Sequence, residues 1–341
     1  MFGAIIGDII GSTYEWHNVK TEDFELFPQG SRFTDDTVLS VAVAEKILNS
    51  HLSAVNSRKS YALWYKQYYR RYPNAGFGQM FAQWAESDFL RIQRSYGNGA
   101  AMRVTAIGLA YEDMDEMLAE VEESCYYTHH HREAIKGAQA VATAVYLAKK
   151  QCDKAEIKKI IEQKFHYQFV KLEDIRESYV FDSRTSYSVP PAIEAFLEAK
   201  NYEDAIRKAI SIGGDSDTIA CIAGDLIDIL YRNHGHIFLS YGAGRLLHIQ
   251  LLRNGYHKHK IILTGSHRHQ GLKHLIMGQS QHIRNLDSVD KLITLIGMGF
   301  KGYLHGLQDT HGIGFVFFLS HYYYILFFTS NTYSQTHRLP F

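Results

Sequence analysis

The chain has 341 residues, with 36 Lys and Arg against 36 Asp and Glu, and a formal net charge of zero when histidine is neutral. That length allows one large domain or two small ones around a core of good size, and the balanced charge gives no global electrostatic case for a nucleic-acid or membrane partner. The balance conceals a split: residues 1–232 carry 33 acids against 26 basic residues, while 233–341 carry 3 against 10. Cys125, Cys152 and Cys221 are scattered, in no metal or redox spacing, and read as reduced thiols of a cytoplasmic protein. The opening stretch has no basic segment and meets Asp8 at once, which is not the pattern of a secretory leader.

Residues 2–13 are apolar on nearly every face, and Gly3, Gly7 and Gly11 recur every four positions. This reads as a buried helix, too short to cross a bilayer, whose glycine stripe admits a close helix neighbour. Asp8 within it needs a partner, either core hydrogen bonds or a metal. Glu15 follows, and then a polar loop over 16–33, marked by Pro28 and Gly30 and placed to act as a lid. Arg32-Phe33-Thr34-Asp35-Asp36-Thr37 leads into an apolar helix over 37–49. Amphipathic helices are predicted over 59–70 and 78–87, with Tyr61, Trp64, Tyr65 and Tyr68 at the spacing of a core face.

Gly97-Asn98-Gly99 is a glycine-rich turn entering a helix that reaches about Tyr111. Its N–H groups suit an anion such as a diphosphate, and a tight interhelical turn fits equally. Arg103 suits either a phosphate or a structural ion pair. His129, His130 and His131 are consecutive, so they cannot all face one ion, and no HExxH or cysteine spacing accompanies them; zinc is disfavoured. They precede a helix over 133–149. Further helices are predicted over 154–165, over 190–200 with Pro190-Pro191 in its first turn, and over 201–212 capped by Asn201. Gly213-Gly214-Asp215-Ser216-Asp217-Thr218 then opens an apolar helix to about Arg232.

Carboxylates in a first helical turn are favoured by the unpaired N–H groups and the helix dipole, so each acidic start alone reads as an N-capped helix. Two such starts, both heading core helices, point to one shared site. Asp35, Asp36, Asp215 and Asp217 would be buried unpaired charge, at a cost of several kcal/mol. Two hard divalent cations with oxygen ligands would balance them, with the Thr218 hydroxyl as a further ligand; Mg²⁺ suits octahedral oxygen ligation and Mn²⁺ can replace it.

Five stretches resemble the ADP-ribosylglycohydrolase family, which includes the dinitrogenase reductase-activating glycohydrolases. They are Gly3 to Glu15, Phe33-Thr34-Asp35-Asp36-Thr37, Gly97-Asn98-Gly99-Ala100-Ala101-Met102-Arg103, Ala134 to Gln139 and Gly213 to Thr218, in family order across about residues 1–232. The resemblance implies an all-α, compact orthogonal multi-helix fold with a binuclear Mg²⁺ site between helix starts. The implied activity is cleavage of the glycosidic bond of ADP-ribosylated protein side chains, or related small conjugates, releasing ADP-ribose. The implied ligands are Thr34, Asp35, Asp36, Asp215, Asp217 and Thr218. Glu15 and Asp36 are the implied catalytic residues, and Gly97, Asn98, Gly99, His129 and His131 the implied substrate contacts. This chain has His130 and Arg132 where the family's Thr-His-Asn-His-Pro-Glu pattern has Asn and Pro, and Thr185-Ser186-Tyr187-Ser188-Val189 where it has a Cys-Gln turn. Three alternatives stand beside this reading: a hydrolase of a free ADP-ribose or nucleoside-phosphate derivative, a non-catalytic crystallin-like relative, and a two-metal phosphate-ester hydrolase.

Past Arg232 the composition changes, with 13 of the 19 histidines and few acids. The domain boundary is placed at 235, and 236–341 reads as an atypical His- and aromatic-rich tail, a frameshifted, read-through or degenerate extension. Its aromatic run over 315–328 is 14 residues long, below the roughly 18 of a bilayer span, and would favour aggregation or membrane adhesion.

Overall fold

The computed structural model describes residues 1–49 and 57–231 with their side chains, and 236–241, 245–254 and 258–265 as backbone strands. The helices are α1 (Phe2–Gly11), α2 (Asp35–Leu48), α3 (Ser57–Arg71), α4 (Gln79–Glu86), α5 (Thr105–Ala110), α6 (Met114–Cys125), α7 (Arg132–Lys149), α8 (Lys154–Phe165), α9 (Leu172–Ile175), α10 (Thr185–Glu198), α11 (Tyr202–Ser211) and α12 (Ser216–Tyr231). The described residues up to Tyr231 are thus all-α, as expected. At its centre α12 is buried from Ser216 through Ile229. Each fully enclosed aliphatic side chain there, such as Ile219 or Leu226, contributes about 1.5–3 kcal/mol before chain entropy is set against it.

α1 lies directly on α12, and the glycine stripe makes the contact. A Cβ on Gly3 would run into the Gly224 carbonyl, one on Gly7 into the Ala220 carbonyl, and one on Gly11 would sit 2.5 Å from Asp217 Cα. Backbone-to-backbone packing this close fixes Asp8, on α1, relative to the acidic first turn of α12. The aromatic face of α3 is core, as its spacing predicts: Tyr61, Tyr65 and Tyr68 are buried.

Several elements depart from the sequence reading. The expected helix from Gly97 is a 3₁₀ turn over Asn98–Arg103 followed by α5. α6 and the short α9 were not anticipated. α6 has a clear start, since Asp113 accepts hydrogen bonds from the Asp115 and Glu116 N–H groups, and it buries Met117, Val121 and Cys125 along one face. α10 begins at Thr185, so Pro190 and Pro191 fall inside it rather than at its start. Proline removes an intrahelical donor, which leaves carbonyls four residues back unmatched. The Tyr187 carbonyl is compensated by the Tyr179 hydroxyl at 3.0 Å, and Ser186 is exposed to solvent.

The loop read as a lid is strapped down. Lys20 Nζ donates to the Tyr179 and Ile212 carbonyls at 2.6 and 2.5 Å, Arg207 Nη1 donates to the Glu22 and Phe24 carbonyls at 2.9 Å each, and Leu26 is enclosed in the core. Beyond the helices, β1 (His236–Tyr241), β2 (Arg245–Asn254) and β3 (Lys258–Gly265) form an antiparallel sheet in the order β1-β2-β3, with His236 opposite Gln250 and Leu247 opposite Gly265. The aromatic run over 315–328 lies outside the described residues. No helix among the described residues is long and apolar enough to cross a membrane.

Candidate active site

The starts of α2 and α12 face each other, and Asp8 of α1 braces the first of them. Asp8 is fully buried, and its Oδ2 accepts from Thr34 N at 2.9 Å, from Thr37 N at 3.1 Å and from the Thr37 hydroxyl. Its Oδ1 accepts from Thr34 Oγ1 at 2.7 Å. A carboxylate at the unpaired N–H groups of a helix is well placed for both bonding and dipole. Burial raises Asp8 to about 6, with the Thr34 and Thr37 bonds working against it.

The α12 start is shaped by Gly213 and Gly214, both left-handed with φ of +72° and +78°, which only glycine adopts without strain. The turn delivers Asp215, Asp217 and Thr218 into a buried site. One carboxylate oxygen each from Asp8, Asp36 and Asp217 lie within 4.8 Å of one another, and so do one each from Glu15, Asp215 and Asp217. Asp217 therefore joins the two groups. Asp36 Oδ2 accepts from Thr34 Oγ1 and Thr218 Oγ1 at 3.3 Å each, while its Oδ1 is buried with no hydrogen-bond partner among the described residues.

The electrostatics follow from this crowding. Burial first, and then the neighbouring Asp215 charge, pushes Glu15 up to about 7. Burial, then Asp8 and Asp215, pushes Asp35 up to about 8. Asp36 is raised well above the carboxylate range by burial and by Asp8 and Asp35, and Asp217 by burial and by Asp215 and Asp36. Such a set cannot ionise together without a countercharge. An all-oxygen donor set with an orphaned buried oxygen on Asp36 fits a hard divalent cation.

Of the residues singled out from sequence, Glu15, Thr34, Asp36, Asp215, Asp217 and Thr218 come together here. Asp35 is half-buried beside them and outside both close groups. Asn98 is buried, and its Nδ2 donates to Asp215 Oδ2 and to Ser188 Oγ at 2.8 Å each, so its amide holds Asp215 in place. Gly97 accepts from Thr185 Oγ1 at 2.6 Å, and a Cβ on Gly99 would lie 3.1 Å from His129 Nε2. His129 is buried with Nδ1 2.9 Å from Thr128 Oγ1, and burial together with Arg103 holds it well below its usual pKa, hence neutral. His131 Nδ1 accepts from Glu133 N at 3.2 Å and caps α7. Arg103 is in no ion pair among the described residues: it is fully buried, donates to Thr128 Oγ1 at 2.8 Å and covers the Tyr65 ring at 4.1 Å. The bracing by Asp8 and the Asn98–Asp215 contact were missed from sequence, because each joins segments far apart in the chain.

Two carboxylate-headed helix starts around a shared oxygen cluster form a site able to hold cations. The family model for ADP-ribosylglycohydrolase matches residues 1–232, and the chain belongs to that family, as a glycosidic-bond hydrolase. The chain is 25% identical over 294 residues to ADP-ribosylhydrolase ARH3 of Xenopus tropicalis, covering 65% of this chain and 83% of that protein. It is 26% identical over 269 residues to ADP-ribosylarginine hydrolase Tri1 of Pseudomonas putida (strain GB-1), covering 69% and 70%. Among solved structures, an ADP-ribosylglycohydrolase-related protein complex shares the fold with a TM-score of 0.51 at 22% identity, over 67% of this chain and 84% of the other.

Proposed function

We propose that the chain is a Mg²⁺-dependent ADP-ribosylhydrolase that cleaves the glycosidic bond between ADP-ribose and a modified protein side chain, or a related small conjugate. The observation that carries this is the gathering of Glu15, Asp36, Asp215 and Asp217 oxygens at two buried helix starts, in a chain similar to an ADP-ribosylarginine hydrolase. Thr34, Asp35, Asp36, Asp215, Asp217 and Thr218 would hold two ions, with Mn²⁺ able to replace Mg²⁺. Bound there, the ions would supply positive charge that orients ribose hydroxyls beside the scissile bond. Glu15, raised to about 7, can carry a proton near neutral pH and suits giving it to the leaving atom or taking one from water. Asp36, ionised beside such a cation, would stabilise the positive charge that develops on the ribose in an oxocarbenium-like transition state. Asn98 keeps Asp215 in place; the turn Gly97-Asn98-Gly99, backed by neutral His129, would face the diphosphate, with His131 as a further substrate contact. The catalytic unit ends near residue 235, and a chain cut there should keep its activity.

The test is release of ADP-ribose from Arg-linked and Ser-linked substrates. The reading expects release with Mg²⁺, loss with a chelator and recovery with Mn²⁺. Release that a chelator leaves untouched, or none from either linkage, refutes it.

A further inference from the structure

We propose that Asn18 is the positioning residue that holds Glu15 in register with the Asp215–Asp217 helix start, an inference that rests on the proposed hydrolysis site. Asn18 is exposed and lies three residues after Glu15 in the strapped loop. Its side-chain amide reaches four main-chain atoms in two directions, the two Nδ2 hydrogens being shared among three carbonyls. Nδ2 donates to the Tyr14 carbonyl at 2.7 Å and to the Glu15 carbonyl at 2.9 Å. Across the site, Nδ2 also donates to the Gly214 carbonyl at 3.1 Å, and Oδ1 accepts from Gly214 N at 2.7 Å.

Gly214 is buried, so the Asn18 amide stands in for water on both of its polar main-chain atoms, which are costly to leave unmatched. An amide alone offers donors and an acceptor in that spacing; a carboxylate lacks the donors and a hydroxyl cannot span both segments. Room for it exists because residue 213 is glycine: a Cβ there would fall 2.9 Å from Asn18 Oδ1. Ser216 Oγ donates to the Tyr14 carbonyl at 3.2 Å and ties the same two segments a second time. Next to Glu15, Trp16 is exposed, hydrogen-bonds the Glu15 side chain and rests on Phe181 with ring centroids 5.4 Å apart. Glu15 is therefore carried between one anchor on the α12 turn and one at the surface.

The cation-type carboxylates have their own supports. Asn98 holds Asp215, and the Thr34 and Thr218 hydroxyls meet Asp36. Loss of the Asn18 amide should therefore displace Glu15 and leave cation binding standing. A reacting group misplaced by about 1 Å can lose about 10²-fold in rate.

The experiment uses the full chain as wild type, Asn18→Ala, Asn18→Asp and, as a control, Trp16→Ala. Three quantities are read: hydrogen exchange at the Gly214 amide, the Mg²⁺-dependent rise in melting temperature, and kcat and KM for ADP-ribose release. Asn18→Ala should speed Gly214 exchange, keep the Mg²⁺ response, and lower kcat about 10²-fold with KM changed less than about 3-fold. Asn18→Asp keeps the acceptor, so Gly214 should stay protected while kcat still falls for want of the bond to the Glu15 carbonyl. Trp16→Ala should leave Gly214 exchange as it is. If Asn18→Ala does not fold, Asn18→Asp carries the kinetic test. Unchanged Gly214 exchange in Asn18→Ala overturns the clamp, and unchanged kcat overturns the positioning role. Joint loss of kcat and of the Mg²⁺ response makes Asn18 a support of the ligand turn instead. An inactive wild type overturns the hydrolase reading, and the positioning of its acid with it, whatever the exchange shows.

Discussion

Gly11 closes α1 against the first turn of α12, and Gly11→Ala probes how far the site depends on that contact. The added methyl would lie 2.5 Å from Asp217 Cα, 2.6 Å from Ser216 O and 2.7 Å from Asp217 N, all main-chain atoms. Carbon atoms in ordinary contact sit about 3.5 Å apart or more, so the two helices must part by about 1 Å here. Alanine is favoured over glycine by up to about 1 kcal/mol inside a helix, but Gly11 is the last residue of α1 and gains less. Overpacking costs about 1–3 kcal/mol and wins. A net loss of about 1–2 kcal/mol lowers the melting temperature by about 2–8 °C in a domain of this size. Because two of the three displaced atoms belong to Asp217, turnover should fall more steeply, by about 10²-fold for a shift of about 1 Å. The comparison is Gly78→Ala, whose Cβ meets nothing within 4 Å among the described residues, with melting and ADP-ribose release measured on both. If Gly11→Ala melts and turns over like Gly78→Ala, the close approach of α1 to α12 is refuted.

Glu15→Gln keeps the size of the side chain and removes its titratable proton, so turnover should collapse while ADP-ribose affinity changes little; equal loss of both, by kinetics and calorimetry, would recast Glu15 as a binding residue. Stability should also follow pH with a definite sign. Glu15 and Asp35 are raised to about 7 and about 8 by burial first and by neighbouring charge second, so the folded protein holds protons at neutral pH that the unfolded chain, titrating near 4, does not. In chelator, the stability they contribute is complete below about pH 4 and is lost as pH rises through 7 to 8. Mg²⁺ displaces those protons, so its increment in melting temperature should grow from about pH 6 to 8.5; an increment that is flat or shrinks contradicts the raised values.

What was legible in the sequence was carried by short local patterns. Thr34-Asp35-Asp36 and Asp215-Ser216-Asp217-Thr218 announce helix starts by capping chemistry, and their apolar continuations announce burial, so their meeting could be anticipated. The stripe of Gly3, Gly7 and Gly11 likewise names a close neighbour without saying which helix it is. Asn18, Asn98 and Asp8 were harder, since each acts through a bond to a segment 26 or more residues away that no local pattern encodes. Asp8 stood open between core bonding and metal, and both descriptions touch it: it braces α2 and lies beside Asp36 and Asp217. α10 was misplaced because Pro190-Pro191 reads as a helix start, while the tertiary bond from Tyr179 that tolerates them mid-helix is invisible locally. α6 was overlooked despite a local signal, the Asp113 cap and the four-residue spacing of Met117, Val121 and Cys125.

The central claim is that the starts of α2 and α12 share one cation site, and calorimetric titration of Mg²⁺ into chelator-stripped protein tests it most directly. About two equivalents should bind to the wild type, with protons released. Asp36→Asn, at one helix start, and Asp217→Asn, at the other, should each weaken that binding. Wild-type protein that takes up no Mg²⁺ saturably, or two variants that bind it as the wild type does, would contradict the account.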